Sequence, residues 1–560
     1  MCIRDSICAI PNRPEYYNPL KNSENAVTRR DKILQDMYEC GYITKDAGEE
    51  ALVEQITIAE PEEEETFYNY EVTYAINCAV RYLMKLDGFE FQYDFDTDEE
   101  YNEYNDRYDE SYQQAKHKLY TGGYKVTTTM NLNAQKSLQN ILDEQLEFNT
   151  EVNEETGIFA FQGAMTVIDN KTGKVVAMIG GRSQEEIRKT YSLNRAYQSY
   201  AQPGSSFKPL VVYTPALEQG YSDSSQLKNI DVSAAKKSTA EKISQMSGKS
   251  MTLRHAVEQS ENGAAYWLFN DLTPKVGLSY VKNMNFSKIV SNDYNLSAAL
   301  GGLTYGASTV EMANAYSTLE NHGEYTQTDC ISSILDSAGN EIYEEPVSKT
   351  VYTREAADEM TDILKGVLTK GTAKNLKWYS YTDTEAAGKT GTTNDNKAAW
   401  FCGYTPQYTI AVWVGYDQPR KTNGLWGHSY PAYIWKEAML YMIDGLDTES
   451  FDLGSFSSGS GVQPSDEEIP EEETEQEPED GVQTDEPDNG NQTGDTINGE
   501  IPGASDPTED ITGGEINQPS GGQDQPQKPE NPDDTIGKDP DAEPPAGTDT
   551  GNTDSTDTAQ

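Results

Sequence analysis

Histidine is scarce in this chain, with four in 560 residues: His117, His255, His322 and His428. None stands at a metal-ligand spacing, which argues against a metal hydrolase, and no metal or other cofactor is expected. The six cysteines (Cys2, Cys8, Cys40, Cys78, Cys330 and Cys402) form no Cys-x-x-Cys pair. Neither a zinc knuckle nor a thioredoxin-type site is supported, and the spacings suggest no disulfide framework. No run of 18 apolar residues occurs, so no membrane span is expected in the sequence as given. No secretory leader is visible either. Positive charge is also short: 43 Lys and Arg face 94 Asp and Glu, a net of −51. That balance argues against nucleic acid as a partner.

Aromatic residues run out towards the C-terminus. Residues 451–560 contain no Trp, Tyr or Cys, and 30 acidic residues against 2 lysines. Such a segment cannot bury enough apolar surface to offset its chain entropy. Residues 449–560 are therefore expected to be a disordered acidic tail rich in Pro, Gly, Asp and Thr.

Against these absences one stretch stands out, Gln202-Pro203-Gly204-Ser205-Ser206-Phe207-Lys208-Pro209. It sets a hydroxyl and an amine three residues apart just after a Pro-Gly break. A helix starting at the break places Ser205 and Lys208 on one face near its positive end. A neighbouring amine can take the hydroxyl proton, which makes Ser205 a candidate nucleophile. Two further elements follow in order: Ser260-Glu261-Asn262, and Lys389-Thr390-Gly391-Thr392-Thr393. A Ser-x-x-Lys, a Ser-x-Asn and a Lys-Thr-Gly in this order form the set used by penicillin-binding proteins and serine β-lactamases.

The rest of the chain reads around these motifs. Residues 67–86 have a helical pattern with Val80, Leu83 and Met84 as core positions, while 94–112, dense in Asp, Glu and Tyr, read as a solvated insertion. A strand at 122–129 and an amphipathic helix at 132–146 follow. Two apolar runs at 164–168 and 175–179, joined by Asn170-Lys171-Thr172-Gly173, signal a β-hairpin. Ser260 and Asn262 fall on the connection between two helices. A Gly-rich turn at 300–308 leads into a helix at 310–319. Short strands at 389–393, 399–404 and 409–416 predict an antiparallel meander, closed by a helix at 430–443.

The pattern from residue 163 to 443 resembles the transpeptidase domain of class A penicillin-binding proteins. Gln198, residues 301–308, Trp400 and residues 403–406 add to the three motifs. One position departs: the family often has Asp before Ala-Trp-Phe, where this chain has Ala398. The start of the chain resembles the end of that family's glycosyltransferase domain, through Pro11, Asn12, Pro14, Tyr17, Asn18, Pro19, Arg29, Arg30, Met37, Gly41, Tyr42 and Ile43. Nothing here matches the catalytic glutamates of that domain. The resemblance implies four regions: a glycosyltransferase remnant at 1–48, a linker at 49–158, the transpeptidase domain at 159–448 and the tail at 449–560. It implies an α/β (α+β) fold of the serine β-lactamase/DD-transpeptidase type, an antiparallel sheet flanked by helices with an all-helical subdomain.

The resemblance also implies the roles. Ser205 is the nucleophile, Lys208 the base, and Ser260 the group that relays a proton to the leaving amine. Asn262, Lys389, Thr390, Gly391, Thr392 and Thr393 hold the substrate, with Lys389 also tuning Ser260. Backbone N–H groups of Ser205 and Thr392 form the oxyanion site. The expected partners are peptidoglycan stem peptides ending in D-Ala-D-Ala, β-lactams and other cell-wall synthesis proteins. The expected location is the wall-facing side of the cell membrane, with the anchor upstream of this chain. Two rivals share the motifs. A β-lactamase needs a Glu-activated water, and no Glu-x-x-Leu-Asn loop lies between Ser260 and Lys389. A non-enzymatic β-lactam sensor or wall scaffold is the other, and the intact motifs disfavour a dead scaffold.

Overall fold

The computed structural model describes residues 16, 22–53, 69–95, 97–154, 156–184 and 193–454. The tail from 455 onward, and Pro11, Asn12, Pro14, Tyr17, Asn18 and Pro19 of the N-terminal pattern, lie outside the described residues. No helix among the described residues is long and apolar enough to cross a membrane.

Helices Ser23–Glu39 and Lys45–Val53 meet through Leu34, Ala51 and Ile43, a small cluster of their own. Helix α1 (Tyr70–Leu86) begins where the Asn69 side chain accepts from Val72 N–H, and it buries Val80, Leu83 and Met84 as its spacing predicts. The Tyr-rich stretch is not a solvated insertion. It belongs to helix α2 (Asp98–Thr121), capped by Thr97. Tyr101, Tyr104, Tyr108 and Tyr112 recur every three or four residues, and a 3.6-residue period brings them to one face. Tyr104 and Tyr108 pack against Phe89, and Arg81 of α1 lies over the rings of Phe91 and Tyr108. The abundance of Asp and Glu between the tyrosines hid this face.

The centre is a five-stranded antiparallel sheet. Its strands are β1 (Phe161–Asp169), β2 (Lys174–Ile179), β3 (Ala387–Thr392), β4 (Ala398–Tyr404) and β5 (Tyr408–Tyr416). Their spatial order is β2-β1-β5-β4-β3. The expected hairpin β1–β2 and meander β3–β4–β5 are both present, joined where β5 pairs with β1. Every residue of β4 is buried, because both faces of the sheet are covered. On one face, Trp435 of the closing helix packs on Phe401 and donates to Gly403 C=O at 3.1 Å. Helix α3 (Leu132–Leu146) contributes fully buried Leu138, Leu142 and Leu146 there, each stabilising by about 1.5–3 kcal/mol.

The other face carries the helical part of the domain. Two helices within it, α4 (Leu253–Glu258) and α5 (Asn262–Leu272), are separated by a break at residues 259–261 that holds Ser260. Helix α6 (Thr309–Glu320) starts in a capping box between Ser308 and Glu311 and sets Tyr316 against Tyr404 of β4. Helix α7 (Arg354–Thr369) completes this face, and the closing helix on the first face is α8 (Tyr430–Ile443). The helical part also holds a two-stranded ribbon, Gln226–Asn229 with Lys249–Thr252.

Candidate active site

The three motifs converge at the edge of the sheet where β3 meets the segment after Gln202. That segment is not a plain α-helix. Gly204–Phe207 form a 3-10 turn, Pro209–Tyr213 a π-helical turn, and only Thr214–Glu218 an α-helix. Proline explains the break. Pro209 has no N–H to give to Ser205 C=O, so Lys208 N–H takes that carbonyl instead, and the next turn widens so that Thr214 N–H reaches Pro209 C=O. In a 3-10 turn side chains three apart eclipse, so Ser205 and Lys208 still lie on one side. The carbonyls left by this irregularity are satisfied from afar. Tyr316 OH donates to Ser206 C=O and Tyr352 OH to Leu210 C=O, each at 2.6 Å.

Glycines let the strand and the turn touch. A Cβ on Gly204, which has φ +56°, would lie 2.6 Å from Thr392 C=O, and one on Gly391 would lie 2.5 Å from Pro203 C=O. A Cβ on Gly301 would run into Gly204 itself. Trp400 of β4 ties the approach by donating Nε1–H to Gln202 C=O at 2.9 Å.

Ser205 is half-buried and its Oγ makes no hydrogen bond among the described residues. Lys208 is fully buried. Its Nζ donates to Asn262 Oδ1 at 2.7 Å, Ser260 C=O at 2.8 Å and Glu261 C=O at 3.3 Å. Burial, and then the nearby Lys389 charge, hold the Lys208 amine well below its ordinary value, with Glu261 pulling the other way. Lys389 is buried as well. It donates to Ser260 Oγ at 2.8 Å and Thr390 C=O at 3.0 Å, and burial lowers its pKa to about 7.

Ser260 thus links the two lysines, one at its carbonyl and one at its hydroxyl. Its backbone is left-handed, with φ +59°. The cause is the end of α4. Ser260 N–H bonds Val257 C=O at 3.1 Å and Glu261 N–H bonds Ala256 C=O at 2.9 Å, the paired bonds of a Schellman cap with Ser260 where glycine is usual. Asn262 is the first residue of α5, not part of the connection; the residue is exposed, while its Oδ1 turns in to accept from Lys208 Nζ.

The Lys-Thr-Gly strand divides its work. Thr392 is half-buried and its Oγ1 accepts from Gly427 N–H at 2.9 Å, which leaves the hydroxyl proton to donate outward. Thr390 Oγ1 pairs with Thr372 Oγ1 at 2.8 Å. Thr393, expected among the substrate contacts, spends its hydroxyl on the hairpin, accepting from Ala398 N–H at 2.9 Å and donating to Ala398 C=O at 3.1 Å. Those bonds also close the turn at Ala398, where the sequence departs from the family pattern. Tyr316, Thr372 and Gly427 were not legible as site residues, because each reaches the site through a side chain or N–H brought in by distant chain.

Residues 163–439 match the family model described as penicillin binding protein transpeptidase domain. Penicillin-binding protein 4 of Bacillus subtilis (strain 168) is 29% identical over 431 residues, which is 77% of this chain and 66% of the relative. Penicillin-binding protein 1F of the same organism is 32% identical over 445 residues, 77% of this chain and 55% of the relative. The chain therefore spans between about half and two thirds of these relatives. Among solved structures, PonA1 from Mycobacterium tuberculosis in complex with penicillin V has a TM-score of 0.52 at 22% identity, covering 70% of this chain and 99% of that one. Penicillin-Binding Protein 1A from Haemophilus influenzae has a TM-score of 0.55 at 19% identity, covering 80% and 81%. At those identities the likeness is one of fold.

Proposed function

We propose that this chain, whose residues 163–439 match the penicillin binding protein transpeptidase domain, is a serine D,D-transpeptidase that cross-links peptidoglycan stem peptides. The observation that carries the reading is the convergence of Ser205, Lys208, Ser260 and Lys389, with two buried lysines meeting at one serine. In this reading Ser205 Oγ attacks the carbonyl of the penultimate D-Ala of a D-Ala-D-Ala stem. Lys208, whose amine is held well below its ordinary value by burial and then by the neighbouring Lys389 charge, takes the hydroxyl proton. It must first turn from its three oxygen partners towards Ser205, a tightening common on substrate binding.

Negative charge on the carbonyl oxygen meets the backbone N–H groups of Ser205 and Thr392, which the glycine contacts hold close together. The C–N bond breaks and Ser260, bridged to Lys389, gives a proton to the departing D-Ala amine. The substrate carboxylate meets Thr390, Thr392 and the Lys389 charge, and the Asn262 amide holds the peptide. An amine of a neighbouring stem then resolves the ester and forms the cross-link. Water in its place gives carboxypeptidase activity. β-Lactams acylate Ser205 and stay. The enzyme works on the wall side of the cell membrane. The N-terminal resemblance supports a bifunctional parent that also polymerises glycan.

The test is labelling with a fluorescent penicillin. A stable adduct on the wild type over hours, absent from Ser205→Ala, is expected. Fast loss of the label from wild type would instead mark a β-lactamase, and no label at all would end the mechanism.

A further inference from the structure

A cavity of about 690 Å³ lies between helices α1 and α2 and the transpeptidase domain, away from the catalytic motifs. Its size falls within the range of roughly 300–1,000 Å³ usual for small-ligand sites. Lys85, Asp109 and Glu344 stand exposed at its mouth, where water and salt screen them. Four half-buried charges line the rest, Glu311, Asp329, Arg81 and Lys288, and they are not balanced alike.

The two acids are satisfied by the fold. Glu311 Oε1 accepts from the N–H and hydroxyl of Ser287, and its Oε2 from the N–H and hydroxyl of Ser308. It sits in the first turn of α6, where the positive helix end favours a carboxylate. Asp329 accepts from Lys174 Nζ at 3.0 Å, Ile331 N–H at 2.8 Å and Tyr343 OH at 2.8 Å.

The two cations are not. Arg81 donates to Tyr93 OH at 2.9 Å and lies over the Phe91 ring, 4.5 Å from its centroid. Lys288 donates to Tyr101 OH at 2.6 Å, and its Nζ lies 5.2 Å and 5.7 Å from the ring centroids of Tyr101 and Tyr200. Neither pairs with a carboxylate among the described residues. Acid is not scarce in the chain, with 94 Asp and Glu against 43 Lys and Arg, yet none is brought to these two. A charge withdrawn from water is costly without a counter-charge, and ring faces offset it only in part. Donors are also left over, since a guanidinium offers five N–H groups and an ammonium three. Beside them the Asn77 amide and the Tyr112 hydroxyl make no hydrogen bond among the described residues. Arg81 lies by Tyr108 and Lys288 by Tyr101, about 10 Å apart along α2, so the pair suits a ligand with an acid group for each.

We propose that this cavity binds a small anion with two or more carboxylate or phosphate groups, one held by the Arg81 fork and one by the Lys288 ammonium. Both kinds of oxyanion suit a planar fork and a point charge.

The experiment titrates the whole chain by calorimetry with pyrophosphate and, separately, with glutarate, at matched NaCl concentration. Saturable binding is expected, and the tighter arm tells phosphate from carboxylate. Arg81→Gln and Lys288→Gln are each expected to weaken it about tenfold or more, the loss of a charged hydrogen bond. Arg81→Lys keeps the charge and loses the fork, so it weakens binding less, and it carries the test if Arg81→Gln does not fold. Lys171→Gln, at an exposed turn outside the cavity, leaves binding unchanged. The proposal is overturned if neither anion saturates, if both glutamine variants bind as wild type does, or if Lys171→Gln weakens binding as much as they do. Ser205 takes no part in the titration, so failure here leaves the acyl-transfer reading standing, and the reverse also holds.

Discussion

Ser260 occupies a backbone position that suits glycine, and it keeps a hydroxyl there. The two facts make opposite demands, which substitution can separate. With φ +59° the residue carries left-handed strain, about 1–2 kcal/mol for a residue with a Cβ. Ser260→Ala removes the hydroxyl and its 2.8 Å bond from Lys389 but keeps the Cβ and the strain. Ser260→Gly removes the hydroxyl and the strain together, and adds about 0.5–1 kcal/mol of chain entropy cost. The difference between the two variants therefore isolates the backbone term, with glycine the more stable by about 0.5–1 kcal/mol, near the net of those two numbers. For a domain of this size that is about 1–3 °C in Tm. Acylation by benzylpenicillin reads the other half. Both variants lose the proton relay, so both slow alike, by about 10²-fold or more. Thermal unfolding and stopped-flow acylation on the same three proteins make the comparison. Equal Tm values for the two variants would refute the strain argument, and an unslowed Ser260→Ala would refute the relay.

Gly391→Ala sets a Cβ 2.5 Å from Pro203 C=O, so the strand and the nucleophile turn must part by about 0.9 Å to reach ordinary contact. A displacement near 1 Å costs about 10²-fold in rate, so acylation is expected to fall by that order, whereas Gly173→Ala, with open space around it, leaves the rate unchanged and loses only about 1 kcal/mol of stability. Lys389→Met removes a positive neighbour that helps depress Lys208. The charged form of Lys208 is then favoured, a higher pH is needed to free the base, and the acid limb of the pH–acylation profile is expected to move upward as the rate falls. A limb that stays or moves down contradicts Lys208 as the base. Thr393→Val leaves the buried Ala398 N–H without its partner, a cost of about 1–3 kcal/mol measured by denaturant unfolding, with acylation within about twofold of wild type.

Much of the fold was legible because its elements keep a clean period or carry turn chemistry. The helix at 132–146 and the closing helix at 430–443 appear with the bounds that their apolar spacing predicts, and Asn170 to Gly173 turns the β1–β2 hairpin as read. The motifs that converge at the sheet edge were legible for a chemical reason: the proposed acyl transfer asks for a nucleophile, two amines and a relay, and so for those residue types whatever the fold around them. What stayed hidden depends on distant chain. The Tyr-rich helix α2 reads as solvated until α1 and Phe89 supply a surface for its ring face. The 3-10 and π turns around Lys208 follow from Pro209, but their orphaned carbonyls are met by Tyr316 and Tyr352, more than a hundred residues on. The left-handed Ser260 is invisible because nothing in Ser-Glu-Asn marks a Schellman cap without the helix end before it.

The same geometry explains why one serine carries two lysines. Lys208 reaches the Ser260 carbonyl and Lys389 its hydroxyl, each at 2.8 Å. The Schellman turn makes this possible, since it exposes both groups of Ser260 at the gap between α4 and α5. Both amines are buried, and each charge there is costly without water. Burial is the leading cause that lowers each of them, and Lys389 rests at about 7. Near neutral pH the lysine at the hydroxyl is thus poised to keep or release its proton, while Lys208 is pushed towards the neutral form that a base requires. The Ser260 hydroxyl accepts from Lys389 and keeps its own proton to give. The order of events in the proposed acyl transfer, with deprotonation at Ser205 first and protonation of the leaving amine second, follows from that asymmetry. It needs no third titrating group.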